Sequence, residues 1–415
     1  MGKAGNRYFF LLQVLFWAAY CVIFGYTVTI FGAYGYSAQV CGLVTTLQYL
    51  VLMGAQPVYG YIMDNLLSPK WFFVGMMTLG GLFALGLPWA FRQSLPVLVG
   101  YYLLLSLFVF SAPGVVDTWC ITVVNHTRRM DFGLVRSGGS FSYALTGLVA
   151  GNIIAPLGIR ALFVLHVVLT LGAAVLALFL RDPVQYRRQE QQLQEQAPQR
   201  ASFAQSVGAL LKNKAFVTYT LCMMCYYFAS RATQVYMPII LARAGGGDAH
   251  YGLSLFLSSG GEMVVMLLAS RLIIRGVRLE KLYATALAIF TVRFLLLTVW
   301  NNLVVMLAGQ LLLAVGFGLQ VRVHTQYLSR IAPERYQGTA ILFCNAMSSG
   351  LGAMVGTFLG GEAIEHWGVT AYLALCTGAA LAALLLFLPT VLQIRAQERS
   401  AMMEFLLRQV EEERP

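Results

Sequence analysis

Six ionisable side chains stand inside long apolar stretches of the sequence: Asp117, Arg136, Arg231, Glu262, Arg293 and Arg322. An ionised group at the centre of a membrane is costly unless it is paired or hydrated. For Asp117, Arg136 and Glu262 together, a water-filled cavity is favoured over salt bridges that only fix helix packing. Arg322 lies close ahead of Arg330 and could instead snorkel to a surface. Polar and aromatic groups accompany these charges. Trp119 follows Asp117 by two residues, and Ser140 and Tyr143 follow Arg136 by four and seven, on one helical face. Carboxylates accept hydroxyl protons, a guanidinium offers a fork of donors, and aromatic rings stack on C–H faces. Together they suit a carbohydrate, although drug and nucleoside ligands are held by similar groups.

Reaction chemistry has no comparable signal. The chain carries no Ser/His/Asp ordering, metal-ligand cluster or phosphate-binding loop. Gly245 to Gly247 lacks the Lys-Ser/Thr that phosphate binding needs. Cys222-x-x-Cys225 has no second Cys or His pair nearby and reads as packing. His324, alone beside Arg322, reads as structural. No enzymatic activity, metal or cofactor is expected.

The elements that must hold the six charges are runs of roughly 20 apolar residues, long enough to cross about 30 Å of hydrocarbon as helices. Hydrophobic residues make up 59% of the 415 positions and charged residues 11%, too little polar surface for a soluble chain of this length. Helices are expected near 8–31, 38–63, 70–90, 95–124, 131–155, 158–180, 214–242, 250–274, 279–300, 302–329, 336–364 and 368–394. The first run shows no cleavage site and is read as a span. The polar stretch Arg181 to Lys214 divides the runs six and six. The expected organisation is a six-helix bundle over 1–183, a cytoplasmic linker over 184–213, a second six-helix bundle over 214–395 and a tail over 396–415. The linker is expected to be partly helical on the membrane surface, and the tail an amphipathic helix.

The net charge of +11 could suggest nucleic-acid binding, but the basic residues cluster in loops between apolar runs. Counted along the chain, the odd-numbered connections hold only Arg92, Arg160 and Arg243, and the even-numbered ones hold most of the rest. By the positive-inside rule both termini are expected in the cytoplasm of a cell whose inner membrane the chain spans. The halves also read as repeats. Gly133, Gly147 and Gly151 fall on Gly338, Gly352 and Gly356 in a single ungapped register, and a weaker register puts Gly42-Leu43 over Gly252-Leu253. Parallel six-helix repeats place a substrate site between the halves near the midplane.

The stretch APGVVDTWCITVVNHTRRMDFGLVRSGGSFSYALTGLVAGNI resembles the helix 4–5 region of lactose permease and the related oligosaccharide:proton symporters, within the major facilitator superfamily. The resemblance runs in order from helix 2 to helix 11. It implies an all-α membrane protein of twelve helices in two pseudo-symmetric bundles. It also implies that Asp117 pairs with a sugar-binding Arg136, that Tyr143 stands where the family stacks a tryptophan on the sugar, and that Glu262, in YGLSLFLSSGGEMVVMLLA, binds sugar. TVRFLLL puts Arg293 at an arginine linked to proton coupling. QPVYGYIMDNLLSPK resembles the switch loop between helices 2 and 3, with Gly60 and Asp64 in place and Asn65 where a basic residue is usual. Other positions depart. The family's helix 10 Lys, His and Glu fall on Gln310, Leu313 and Gly316, its helix 7 aspartates near Phe228 and Arg231, and its helix 8 asparagine on Val265. The binding half of the pattern persists and the proton-handling half does not, which speaks against proton symport by that family's route.

The leading expectation is a monomeric carrier of a sugar or glycoside-like solute, lined by Asp117, Trp119, Arg136, Ser140, Tyr143, Arg231 and Glu262. Glu262 and Arg293 are the candidates for any coupling to protons. An excess of buried arginine equally suits an anionic or amphiphilic solute, such as a uronide, nucleoside or drug. A sensor of transporter fold that moves nothing is the alternative from another class.

Overall fold

The computed structural model describes residues 2–127, 132–182, 203–332 and 337–412, and these are helical apart from short turns. Helix α1 runs as Gly2–Tyr20, a π-helical turn Cys21–Gly25 and Thr27–Ala33. There follow α2 (Ala38–Asn65), α3 (Pro69–Leu85, with a further turn Leu87–Ala90) and α4 (Leu95–Leu105, a π turn Ser106–Phe110, then Pro113–Thr127). Next come α5 (Phe132–Leu157), α6 (Arg160–Leu178), a linker helix Phe203–Lys212, α7 (Lys214–Arg243), α8 (Asp248–Ile274), α9 (Leu279–Val299) and α10 (Leu303–Ile331). Helix α11 begins as Gln337–Asn345, passes through a π turn Ala346–Gly352 and continues in the long stretch Ala353–Glu412. Gly368 interrupts that stretch with a φ of 81°, where glycine alone is unstrained, and α12 starts beyond it.

Local chemistry sets these boundaries. Side-chain oxygens of Ser37, Ser68, Asn213 and Asn302 accept hydrogen bonds from the first free backbone N–H groups of α2, α3, α7 and α10. Pro69 opens α3 at a position where its missing N–H costs nothing. At the far end of α6, Lys70 Nζ donates to the carbonyls of Leu178 and Leu180, each at 2.8 Å, and Ser68 Oγ donates to Asp182 at 2.8 Å. The start of α3 is thereby fastened to the unsatisfied carbonyls that end α6.

Among the described residues nine stretches are long and apolar enough to cross a membrane. Thr339–Pro389 is one of them and contains the break at Gly368; Pro69–Leu85 is shorter than the rest, and α7 carries more polar residues. Residues 184–202 of the expected linker lie outside the described residues. Helix α12 continues past the tail boundary expected at 395 and reaches Glu412. Gly60 and Asp64 sit in the last two turns of α2, so the expected switch loop is a helix end here; the side chain of Asp64 is outside the described residues.

The repeat register needs correction in α11. A Cβ on Gly42 would stand 2.8 Å from the Thr357 carbonyl and 3.3 Å from the Gly361 Cα, and would also meet the Tyr236 hydroxyl. A Cβ on Gly252 would stand 2.6 Å from the Gly147 carbonyl, 3.2 Å from the Gly151 Cα and 3.2 Å from the Tyr26 hydroxyl. The hydroxyls donate in parallel, Tyr26 to Gly147 at 2.6 Å and Tyr236 to Thr357 at 2.5 Å. Gly42, Tyr26, Gly147 and Gly151 thus correspond, at one constant spacing, to Gly252, Tyr236, Thr357 and Gly361. That spacing is the weaker of the two expected registers. Gly352 and Gly356, expected to match Gly147 and Gly151, pack instead against backbone of α7 at Met224 and Phe228. These two matched contacts join α2 to α11 and α5 to α8 at the end where Gln39 Nε2 also donates to Glu362 Oε1 at 2.7 Å.

Candidate functional site

A cavity of about 390 Å³ lies between the two halves, within the usual range for small-molecule pockets. Trp17, Tyr20 and Phe24 of α1, Gln48 and Tyr49 of α2, and Arg136, Ser140 and Tyr143 of α5 form one wall. Arg231 and Gln234 of α7, Ser254, Ser258 and Glu262 of α8, and Gln310, Leu313 and Phe317 of α10 form the other. Each π turn among the described residues supplies a lining residue, Gly25, Phe110 and Ser349. An extra residue in a helical turn redirects the side chains beyond it, and such turns often sit at functional sites.

Around Arg136 the contacts close into a ring. Trp17 Nε1 donates to Gln13 Oε1 at 2.9 Å, and Gln13 Nε2 donates to Asp117 Oδ1 at 3.0 Å. Asp117 Oδ1 lies 3.6 Å from Arg136 Nε, and the guanidinium lies 4.3 Å from the Trp17 ring centroid. This approach requires a glycine beside it, because a Cβ on Gly139 would stand 2.7 Å from Arg136 Nη1. The ring fixes the plane of the guanidinium through one charged partner and one aromatic face. Asp117 stands behind Arg136 and is not itself a lining residue.

Two opposite charges face each other across the cavity without direct contact. Arg231 Nη1 donates to Gln234 Oε1 at 3.0 Å, and its guanidinium lies 5.7 Å from the Tyr227 ring and 5.4 Å from the Phe317 ring. Glu262 is half-buried on α8. Among the described residues neither has an oppositely charged atom within 4.0 Å.

Trp119 does not reach the cavity. It is fully buried, its indole N–H donates to the Arg181 carbonyl at 3.1 Å, and it packs edge-on against Phe9. Two residues along a helix is about 200° of rotation, so a residue two beyond Asp117 faces the other way. Arg293 also lies elsewhere, fully buried in the second half, with Nε donating to the Gly309 carbonyl at 3.0 Å and both Nη atoms unpartnered. Arg322 donates to Ser270 Oγ at 2.8 Å, and His324 bridges the Tyr219 hydroxyl at 2.8 Å and Asn345 Oδ1 at 3.2 Å. Of the three departing positions on α10, Gln310 and Leu313 line the cavity, and Gly316 is turned towards α9. No group of three or more His, Cys, Asp or Glu among the described residues could hold a metal ion. The sequence reading missed Trp17 and Gln13. Their signal was a lone amide in an apolar run with an indole one turn on.

Comparison with known proteins agrees with this architecture. The profile of the MFS_1 like family matches residues 7–374. The chain is 27% identical over 354 residues to the maltose permease of Geobacillus stearothermophilus, covering 84% of this chain and 86% of that one. It is 21% identical over 331 residues to the uncharacterized transporter YwbF of Bacillus subtilis (strain 168), covering 80% and 79%. The crystal structure of the nucleoside transporter NupG superposes with a TM-score of 0.75 at 16% identity, covering 93% of this chain and 98% of that one. An inward-facing bacterial homologue of the human lysosomal transporter Spinster superposes with a TM-score of 0.62 at 11% identity, covering 95% of each chain.

Proposed function

The chain belongs to the MFS_1 like family of transporters, multi-pass membrane proteins of the major facilitator fold, and from that premise we propose that it carries a sugar or glycoside-like solute by alternating access. The observation that carries this reading is the Trp17–Gln13–Asp117–Arg136 ring. It presents a fixed fork of N–H donors and an indole beside a wall that also bears Ser140 and Tyr143. A pyranose has the matching surfaces, hydroxyl edges for the fork and C–H faces for the rings. The relative named as a maltose permease supports the same class. NupG contributes the fold alone at its level of identity.

Glu262 is the candidate group for any proton coupling. It faces the cavity beside the substrate groups, whereas Arg293 is buried away from it. The protein works as a monomer, with its termini in the cytoplasm. Thermal shift of the purified protein against sugars, glycosides, uronides and nucleosides tests the substrate class, because a ligand that binds only the folded state raises its stability. Stabilisation by nucleosides and by no sugar would reject the proposal. A second reading, an anionic solute, is favoured by one observation, the guanidinium of Arg231 that lines the cavity with no carboxylate in contact.

A further inference from the structure

Three charged side chains line the cavity: Arg136, Arg231 and Glu262. Arg136 is matched by Asp117 at 3.6 Å and needs no further charge. Arg231 differs. It stands twelve residues before the end of α7 at Arg243, roughly 18 Å at 1.5 Å per residue, too deep to reach a membrane surface. Its described partners are a neutral amide oxygen on its own helix and two ring faces. These orient the guanidinium and leave its fork without a carboxylate in contact. The guanidinium therefore reaches the cavity with its fork open to a ligand.

Glu262, on the neighbouring α8, poses the converse problem: a carboxylate that accepts and no described donor that satisfies it. The groups facing it across the cavity are Arg231 of α7 and Arg136 of α5, with Tyr143 of α5 and Gln310 of α10 completing the lining. One solute can fill the space between them, with a carboxylate for the guanidinium fork and hydroxyls for the glutamate. A planar carboxylate matches a guanidinium in two parallel hydrogen bonds, which a sugar hydroxyl cannot do. With Glu262 facing the same guanidinium, the solute's own charge must stay small, and a single carboxylate is the least that fills the fork. A phosphate, at about −1.5 to −2, would bring surplus charge towards Glu262.

We propose that Arg231 is an anion subsite and that the transported solute is a glycoside bearing a single carboxylate, of the uronide class. The proposal rests on the sugar reading above and narrows it.

Binding to the full-length purified protein tests it with matched pairs: methyl glucoside against methyl glucuronide, and methyl galactoside against methyl galacturonide. Cyclohexanecarboxylate is a third probe, an anion without hydroxyls. In one or both pairs the uronide binds at least about tenfold more tightly than its neutral partner. Arg231→Gln removes that preference, lowering uronide affinity at least about tenfold more than it lowers that of the neutral glycoside. Arg231→Lys, a point charge without the fork, restores part of the preference. Equal binding of neutral and acidic partners in the wild type overturns the subsite and leaves the sugar reading standing. An equal loss of both ligands in Arg231→Gln, unrescued by Arg231→Lys, makes Arg231 a packing residue and also overturns it. Arg231-dependent binding of cyclohexanecarboxylate with no binding of any glycoside overturns the glycoside assignment and the sugar reading together. Failure of every probe to bind does the same and removes the subsite as well.

Discussion

The Arg136 guanidinium owes its orientation to contacts that a lysine cannot reproduce. Arg136→Lys keeps the charge beside Asp117 and loses both the fork and the flat face over Trp17. Substrate affinity is expected to fall at least about tenfold, with thermal stability little changed, as titration calorimetry and a melting curve would record. Unchanged affinity would remove Arg136 from the binding site. Trp119 should behave in the opposite way. Trp119→Phe deletes a hydrogen bond to the Arg181 carbonyl, a loss of about 1 kcal/mol. The melting temperature drops and ligand affinity stays as it was. Arg293→Met removes a buried guanidinium with two unpartnered nitrogens, so it is expected to raise the melting temperature; a fall would point to a counter-charge at that site. The contrast between these residues shows what a sequence reveals about a site. Arg136, Ser140 and Tyr143 recur at the helical period and were legible as one face. Trp119 was misread because nearness in sequence was taken for nearness on a helix. Gln13 and Trp17 were missed because their meaning depends on Asp117, a residue on another helix.

Helices were legible as apolar runs because the bilayer fixes their length. Their irregularities were not, since no residue type announces a π turn. Among the described residues, π turns lie in α1, α4 and α11, and each delivers a lining residue. The register of α11 was misread for a related reason. Glycines are frequent enough in membrane helices to align in a false register, whereas Thr357, the true counterpart of Gly147, carries no such mark. What distinguishes the true register is close approach between backbones. A side chain at Gly42 or Gly252 would occupy space already taken by backbone of α11 or α5. Gly252→Leu and Gly42→Leu are therefore expected to hold that end of the helices apart. The reporter is a cysteine at the cavity residue Val28, in a background without the native cysteines, labelled from outside intact cells by an impermeant maleimide. Labelling rises several-fold in either variant. No change would show that neither glycine contact controls access.

The molecule as a whole must bring a cavity with one carboxylate and two guanidinium groups to each side of the membrane in turn. Any proton that travels with the solute has to ride on a group that both faces can reach, and Glu262 is the lining acid. Either solute distribution in proteoliposomes ignores an imposed pH gradient, as for a facilitator, or the accumulation it drives is expected to vanish in Glu262→Gln, leaving downhill exchange. Accumulation that survives the substitution would place the proton carrier elsewhere. Topology is open to the same kind of test. A cysteine at Gly208, exposed on the linker helix, is expected to react only when reagents reach the cytoplasmic side. The contacts that hold the halves together carry one more implication. Gly42 of the first half meets Thr357 and Gly361 of the second, and Gly252 of the second meets Gly147 and Gly151 of the first. A contact made twice with the roles exchanged is the mark of an isologous interface, the kind two identical subunits form about a dyad. The chain thus has the geometry of a homodimer whose protomers have been joined end to end. Fusion fixes the partners at a permanently high effective concentration. It also frees each copy to change alone, and the two walls differ: Arg136 has Asp117 at 3.6 Å, whereas Arg231 meets Glu262 only across the cavity.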